Sequence, residues 1–368
     1  MPSLYTLATR MRRLGFGAVL VFGITICVGC RLPGSDEGEQ VVIYSPFPES
    51  TARELKRVFE AETGIKVVQV RDGTTRIHGR LRAERDKPKA DVWYGGGGIV
   101  PFIAASEDGL LARYVPTGYE NLSETRGNLI LRDREFQWTG MCIIALGFAY
   151  NPQLLSPEEI PKTWEELAEP RFRNKIEMWD PGVSGTAMLF LGSALQRAKN
   201  KEGGDEEKGW DFLKAYWQNL KGYTVEGMPA FNVARGSVGI GIHLEHQVLE
   251  FIEEQTGGDL GGGTENISWY LPPNSPVSVD PIALIKNGPN PENAKKYIDF
   301  VLSDAGQEII NRYFFSMDPE RPGPGGMEEW SMDVLKSRAQ KLDTRWMAEN
   351  NDRIRKRWQN EIEQIPRN

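Results

Sequence analysis

Short strand-like runs and helix-like stripes of hydrophobic residues alternate along this chain. Val41–Tyr44 and Ile65–Val70 are apolar, largely β-branched runs, which predict buried strands. The segment between them carries its apolar residues on one helical face, has Thr51 and Glu54 at the spacing of a capping box, and stops at Gly64. A strand, a helix and a strand within about 30 residues match the size of a right-handed βαβ unit.

The same alternation continues well beyond this first unit. Thr74–Arg85 predicts a helix, and Asp91–Tyr94 predicts a strand that runs directly into four glycines. Such alternation is typical of a mostly parallel α/β sheet, and two α/β units joined by extended segments would bind a ligand in the crevice between them. Later strands are predicted at Gly140–Asn151, Lys175–Trp179, Ser237–Ile242 and Val279–Lys286, and later helices after Ser184, across Trp210–Leu220, across Leu244–Phe251 and over Pro291–Leu302.

A cluster of prolines and glycines at residues 319–326 separates this body from a charged tail. In the tail, Trp346, Ile354, Trp358 and Ile362 recur at helical spacing. We expect this tail to be helical and to pack back on one lobe of the body rather than to form a separate partner-binding element.

The first residues have the pattern of a bacterial lipoprotein signal. Three arginines precede the uncharged stretch Leu14–Gly29, and Cys30 follows a small residue. Residues 1–29 are therefore predicted to be a signal peptide, Cys30 the lipidated residue, and residues 30–40 a flexible tether. An uncleaved N-terminal anchor is the alternative, although the apolar run is shorter than the roughly 20 residues of a membrane span.

Composition narrows the class of protein. Without residues 1–29 the chain has 41 basic and 51 acidic residues, a net charge of −10. A nucleic-acid-binding protein normally carries a basic patch, so no nucleic-acid partner is expected. If Cys27 leaves with the signal and Cys30 is lipidated, Cys142 has no partner, and no disulfide scaffold is expected. Cys142 lies in an apolar stretch and is predicted to be a small buried hydrophobe.

Four segments combine small or hydroxylated residues with the ends of predicted strands or the starts of predicted helices. They are Ser45–Pro48, Gly73–Arg76, Gly95–Gly98 and Ser184–Thr186. Free backbone N–H groups and the helix dipole attract anions at such places without many basic side chains. The glycines are not a nucleotide-binding loop, because neither the P-loop nor the dinucleotide pattern is complete.

The histidines raise the question of a metal site. His243 and His246 could share a helix face with Glu245 between them, but the HExxH spacing of zinc proteases is absent. The alternative interpretation is a metal site, with His243, Glu245 and His246 as the candidate ligands. No GxSxG or Cys/His signature is present, so a hydrolase is disfavoured and no enzyme activity or cofactor is predicted.

Five segments together resemble extracellular solute-binding proteins of ABC importers, in the branch that contains ferric-iron, hexose-phosphate and phosphonate binders. They are Val41–Ser45, Phe59–Val67, Lys89–Gly96, Pro161–Leu167 and Pro291–Ala294. The resemblance implies an α/β, two-lobe type II periplasmic-binding (Venus-flytrap) fold with hinge strands. Lobe 1 would be residues 41–139 and 276–318, lobe 2 residues 140–275, and the C-terminal helical extension residues 319–368.

The resemblance also implies where a ligand binds. Iron binders of this branch carry adjacent tyrosines after the strand that matches Ser237–Ile242, where this chain has His243–Gln247 instead. The absent tyrosines and the glycine-rich loop favour a phosphorylated ligand. The candidate ligand-binding residues are Ser45, Thr74, Thr75, Arg76, Gly95, Gly96, Gly97, Gly98, Ser184, Gly185, Thr186, His243 and Asp280.

We therefore expect an extracytoplasmic receptor, lipid-anchored at Cys30, that captures a small organophosphate, sugar phosphate or phosphonate between its lobes. It would act as a monomer and deliver its ligand to an ABC permease in the cytoplasmic membrane. The alternative ligand is ferric iron or another metal ion. A sensor without a transport role would have the same sequence features.

Overall fold

The computed structural model describes residues 39–224, 229–256, 266–324 and 331–367. The predicted signal peptide, the lipidation site at Cys30 and the tether up to residue 38 lie outside these residues. Within them, no helix is both long enough and apolar enough to cross a membrane.

A single path of hydrogen-bonded strands runs through the body, in the order β2-β1-β3-β12-β7-β10-β8-β9, with β4 paired to β12 and β11 paired to β7. A separate hairpin consists of β5 and β6. The strands are β1 (Gln40–Ser45), β2 (Lys66–Arg71), β3 (Val92–Tyr94), β4 (Leu111–Ala112), β5 (Thr125–Arg126), β6 (Leu129–Ile130), β7 (Thr139–Tyr150), β8 (Ile176–Trp179), β9 (Leu220–Thr224), β10 (Ile240–Leu244), β11 (Ser268–Tyr270) and β12 (Val277–Ile285).

Helices connect most of these strands, as the alternation of the sequence predicts. The helices are α1 (Glu49–Thr63), α2 (Thr74–Ala83), α3 (Val100–Glu107), α4 (Gly185–Lys199), α5 (Glu206–Asn219), α6 (Pro229–Ala234), α7 (Glu245–Thr256), α8 (Pro291–Leu302), α9 (Asp304–Asn311), α10 (Met332–Arg338) and α11 (Thr344–Arg357).

The sheet has two sides that meet at the pair β7 and β12. Strands β1, β2 and β3 are parallel on one side, and β10, β8 and β9 are parallel on the other. Between them β12 and β7 are antiparallel to each other, and both are buried along nearly their whole length. We call the β1–β3 side the first lobe and the β8–β10 side the second lobe. The two-lobe α/β prediction is confirmed, and the residue boundaries given for the lobes stay a prediction.

Local sequence signals bear on where helix α1 begins and ends. Gly64 ends α1 in the left-handed region at φ 72°, as predicted. The capping box at Thr51 and Glu54 is wrong: α1 begins at Glu49 directly after Pro48, so Thr51 lies inside the first turn, and its buried hydroxyl has no hydrogen-bond partner among the described residues. Pro48 takes the N-cap position, at φ −53° and ψ 142°, and no side chain caps the helix.

The C-terminal extension packs against both lobes, so the prediction of one lobe is wrong. Helix α11 contacts α3 of the first lobe and α4 of the second lobe. The residues that flank α11 form hydrogen bonds with the second lobe: Gln196 exchanges two bonds of 2.8 Å with the backbone of Asp343, and Trp358 donates to the Tyr223 hydroxyl at 2.6 Å. Burial of Trp358 and Ile354 between the layers explains why the apolar spacing in the tail is helical.

Candidate functional site

A cleft of about 590 Å³ lies where the first and second lobes meet. Its walls come from the ends of β1, β2 and β8 and from the starts of α2, α4 and α7. This is the edge where the carboxyl ends of parallel strands and the N-termini of helices converge, as expected for an open α/β sheet. The lining residues are Pro46, Phe47, Pro48, Arg71, Asp72, Gly73, Thr74, Arg76, Gly96, Gly97, Trp179, Val183, Ser184, Gly185, Thr186, Leu244, His246, Gln247, Glu250 and Asp280.

The wall on the first lobe is the glycine loop, residues 95–98. All four glycines have positive φ, between 71° and 136°, which other residues rarely adopt. The Asp280 carboxylate holds the loop, because Gly98 N donates to Oδ1 at 2.6 Å and Gly96 N donates to Oδ2 at 3.2 Å. The Thr74 hydroxyl donates to Gly96 O at 2.9 Å. Asp280 therefore has a positioning role toward the loop in addition to lining the cleft.

The wall on the second lobe is the N-terminus of α4. Ser184 caps this helix, since its Oγ accepts from Ala187 N at 3.3 Å. The first N–H groups of a helix have no partner within the helix, so Gly185 and Thr186 present the positive end of α4 to the cleft.

The two walls touch each other in this structure. Thr75 N donates to Val183 O at 3.3 Å, a backbone hydrogen bond across the cleft. A side chain at Gly97 would approach Thr186 N to 2.7 Å, and one at Gly185 would overlap the carbonyl oxygen of Gly96. These glycines are needed because backbone meets backbone where the two lobes are in contact across the cleft.

Two arginines from the first lobe give the cleft positive charge. Arg71 ends β2, and its Nε donates to Phe47 O at 3.0 Å. Arg76 lies in the first turn of α2, is 62% exposed at its side chain, and has Asp72 at 3.5 Å. Because guanidinium groups present several donors in a fixed fork, both are suited to bind phosphate or phosphonate oxygens.

The floor of the cleft carries acidic groups and a histidine. Glu250 and Asp280 line it, and His246 lies beside them with its ring stacked on Phe314 at 4.1 Å. Burial lowers the pKa of His246 to about 4 against the opposing effect of Asp280 and Glu250, so the imidazole is neutral at neutral pH. Burial raises the pKa of Asp280, although the two loop N–H groups and His246 act in the other direction.

Eight of the predicted site residues line the cleft, and five do not. Ser45 is fully buried and its Oγ accepts from Phe47 N at 3.0 Å, while Thr75 contributes its backbone bond to Val183. Gly95 and Gly98 belong to the same buried loop but do not line the cleft. His243 is fully buried. Those that line it are Thr74, Arg76, Gly96, Gly97, Ser184, Gly185, Thr186 and Asp280.

Sequence reasoning missed Phe47, Arg71, Trp179, Gln247 and Glu250, all of which line the cleft. Phe47 belongs to the candidate segment Ser45–Pro48, Arg71 directly follows the predicted strand Ile65–Val70, and Trp179 is the last residue of the predicted strand Lys175–Trp179. The ends of strands could therefore have identified these three. Gln247 and Glu250 lie on α7, which matches the helix predicted across Leu244–Phe251, but the sequence does not indicate which face of that helix lines the cleft.

The alternative metal set is not assembled. His243 lies on β10 and His246 on α7, so the shared helix face is wrong: the strand continues to Leu244. His243 Nδ1 lies 3.3 Å from Gln247 Oε1, and Glu245 Oε2 accepts from Ala145 N at 2.7 Å. In the part of the chain that the structure describes, no three His, Cys, Asp or Glu side chains are grouped so that they could hold one metal ion.

Cys142 lies in β7 opposite Asp280 of β12 and is fully buried, as predicted. Burial and the neighbouring Asp280 and Glu245 carboxylates raise the pKa of the Cys142 thiol. A buried thiol held protonated is a packing residue rather than a nucleophile.

Comparisons with known proteins agree with this architecture. A solved structure of the periplasmic binding protein AfuA from Actinobacillus pleuropneumoniae, with exogenous fructose-6-phosphate bound, superposes with a TM-score of 0.71 at 26% identity, over 89% of this chain and 99% of that one. The Fe(3+)-binding periplasmic protein of Serratia marcescens is 24% identical over 82% of this chain and 84% of its own length. A putative 2-aminoethylphosphonate-binding periplasmic protein of Salmonella paratyphi A is 25% identical over 70% and 71%, respectively.

The model of one protein family matches residues 87–324, which is more than half of the chain. This range includes the glycine loop, the start of α4, the acidic floor of the cleft and both strands at the junction of the lobes. The family resemblance seen in the sequence is thereby confirmed: the chain belongs to the bacterial extracellular solute-binding proteins.

Proposed function

We propose that the solute captured by this component of an ABC transporter is a small anionic organophosphate, sugar phosphate or phosphonate. The observation that carries the proposal is the convergence of Arg71, Arg76 and the N-terminus of α4 on one cleft. Guanidinium groups and unpartnered helix N–H groups are the usual receptors of phosphoryl oxygens in proteins. The fructose-6-phosphate bound to AfuA and the aminoethylphosphonate named for the Salmonella relative support the same class of ligand.

Capture would proceed by closure of the lobes. The arginines belong to the first lobe and the start of α4 to the second, so a phosphoryl group contacts both sets only when the cleft is closed. A ligand that binds the closed form better than the open form shifts the population toward it. The closed complex is what the permease would recognise.

The test is titration of the purified protein with fructose 6-phosphate, 2-aminoethylphosphonate and ferric citrate, followed by calorimetry and by tryptophan fluorescence, since Trp179 lines the cleft. We expect at least one phosphoryl or phosphonate compound to bind. Arg76→Ala should weaken that binding about tenfold, the value of one hydrogen bond to a charged group. Arg82→Ala removes an arginine from the same helix, outside the cleft, and should leave the affinity unchanged.

Binding of ferric citrate alone, unaffected by Arg76→Ala, would replace this proposal with the metal-ion alternative. The names of the iron-binding relatives make that arm of the titration necessary.

The lipid anchor, the monomeric state and delivery to a permease complete the proposal. The anchor rests on the sequence pattern around Cys30, and the periplasmic relatives support a site of action outside the cytoplasm. Metabolic labelling with a palmitate analogue should label the wild-type chain in its native host and fail to label Cys30→Ala. Sedimentation of the purified protein should give the mass of one chain.

A further inference from the structure

Helix α7 has two faces of different character. Val248, Leu249 and Ile252 are at most 2% exposed and belong to the hydrophobic core, where α7 packs on β7, β10, β11 and α6. This apolar face attaches α7 to the second lobe. His246, Glu250 and Glu253 are spaced by four and then three residues, so they share another side of the helix. We call these three residues the contact face of α7.

The first two residues of the contact face meet side chains of the first lobe. The His246 ring stacks on Phe314, with 4.1 Å between the ring centroids. Glu250 Oε1 accepts from Ser50 N at 3.3 Å and also from the Ser50 hydroxyl. Ser50 lies in the first turn of α1, and Phe314 follows α9, which packs on α1 and α8. Both contacts therefore join the second lobe to the first.

The third contact is an ion pair at the end of the contact face. Arg312 directly follows α9, and its Nη2 pairs with Glu253 Oε1. The Glu253 side chain is 14% exposed, whereas that of Arg312 is 56% exposed, so the arginine reaches a largely covered carboxylate from the solvent side. A covered carboxylate that loses its partner is costly unless it regains water. The pair therefore favours contact between the lobes.

Burial of the contact face depends on the first lobe. His246 and Glu250 are 5% and 4% exposed, although the core of the second lobe takes up the opposite side of α7. If the lobes separated, the two carboxylates and the imidazole would be hydrated and would lose all three contacts. These contacts join protein to protein, so they act whether or not a solute is bound.

We propose that the contact face of α7 sets the ratio of open to closed forms of the protein before any solute binds, through its bonds to Ser50, Arg312 and Phe314. The proposal goes beyond the proposed function, because it requires closure of the lobes but no particular solute. A solute that binds the closed form would have an apparent affinity that scales with the closed fraction.

The experiment reverses the charge of Arg312 in the purified full chain without solute. Arg312→Glu places a carboxylate opposite Glu253, so the ratio of open to closed forms should rise about tenfold, in the range of a close charge pair at an interface. Small-angle X-ray scattering should then give a larger radius of gyration. Glu253→Arg should act in the same direction, and the two changes together restore opposite charges and should restore the wild-type radius.

The matched control is Arg171→Glu, which makes the same change of charge in an exposed pair within the second lobe. Arg171 Nε lies 2.6 Å from Glu169 Oε2, and its Nη2 lies 3.0 Å from Glu166 Oε2. This variant should leave the radius of gyration unchanged, because the pair does not join the lobes. Thermal unfolding of every variant checks that it remains folded.

An unchanged radius in Arg312→Glu would overturn the proposal, and so would an equal increase in Arg171→Glu. The same conclusion would follow if the charge swap kept the radius of the single variants. None of these results would affect the proposed function, which concerns the solute. Conversely, failure of every phosphoryl and phosphonate compound to bind would remove the proposed function and leave the scattering result as it stands.

Discussion

The two walls of the cleft are held in place by residues that differ greatly in their separation along the sequence. The glycine loop of the first lobe depends on Asp280, which is 184 residues from Gly96 and 182 from Gly98 in the sequence. The start of α4 in the second lobe depends on its own cap, Ser184, three residues before Ala187. One wall is therefore shaped only when strands from distant parts of the chain have come together, and the other forms with its helix.

This difference predicts how each wall responds to mutation. A loop of positive-φ glycines has little intrinsic preference for one shape, so the loss of its anchor should release it. A helix start that loses its cap keeps the remainder of the helix and frays locally. Mutations at the first wall should therefore cost more than mutations at the second.

The largest effect is expected for Asp280→Ala. This change removes two hydrogen bonds to a charged acceptor and leaves Gly96 N and Gly98 N buried without partners, so the free energy of unfolding should fall by about 3 kcal/mol. Chemical denaturation gives the stability, and hydrogen exchange at the two amides reports the loop itself.

Asp91→Ala is the control for this prediction. Asp91 is a buried carboxylate that accepts from Val42 N and Asn290 N away from the cleft. It should lose similar stability while the folded protein keeps its affinity for ligand. Equal loss of affinity in both variants would contradict the anchoring role of Asp280.

An intermediate effect is expected for Gly185→Ala, which tests the contact between the walls. Its φ lies outside the left-handed region, so alanine suits the helix, but the methyl group would overlap Gly96 O in the closed form. Affinity should fall by about 10- to 100-fold, in line with the usual cost of overpacking, while stability is kept. Calorimetry and small-angle scattering measure affinity and lobe opening.

Gly79→Ala provides the comparison on α2, since a side chain there meets no atom within 4 Å. It should raise stability by up to about 1 kcal/mol and leave ligand affinity unchanged. Unchanged affinity in Gly185→Ala as well would mean that the walls do not meet in the ligand-bound protein.

The smallest effect is expected for Ser184→Ala. Loss of the cap of α4 should lower the free energy of unfolding by about 1 kcal/mol. Ser303 caps α9 in the same way and lies outside the cleft. Ser303→Ala should match the change in stability without the loss of ligand affinity that we expect for Ser184→Ala.

The contrast between the walls also explains what could be predicted from the sequence. Ser184 as a helix start, Gly64 as a stop and the strands β1, β2 and β7 are local patterns, and the structure confirms them. The α/β alternation then leads to the correct fold class and to the edge of the sheet where the cleft lies.

Features that depend on contacts between distant parts of the chain could not be predicted from the sequence. The bonds from the glycine loop to Asp280 depend on the order of strands in the sheet, which no spacing in the sequence expresses. The same holds for α11, whose apolar spacing predicts a helix but not the two surfaces that it covers. His243 was placed on the wrong element for a local reason, because the boundary between β10 and α7 falls between Leu244 and Glu245 and so separates His243 from His246.

The irregularity in β12 has a mechanical consequence. The pairing of β12 with β7, the two strands at which the lobes meet, shifts register between Asp280 and Pro281. Asp280 holds the glycine loop, and Pro281 O accepts from Gly95 N at 2.9 Å. The angle between the lobes and the shape of the loop are therefore not independent degrees of freedom. If β12 bends at this irregularity, Asp280 and Pro281 move and the glycine loop that is bonded to them moves as well. An empty cleft and a filled one would therefore differ in the shape of the loop as well as in the distance between the lobes.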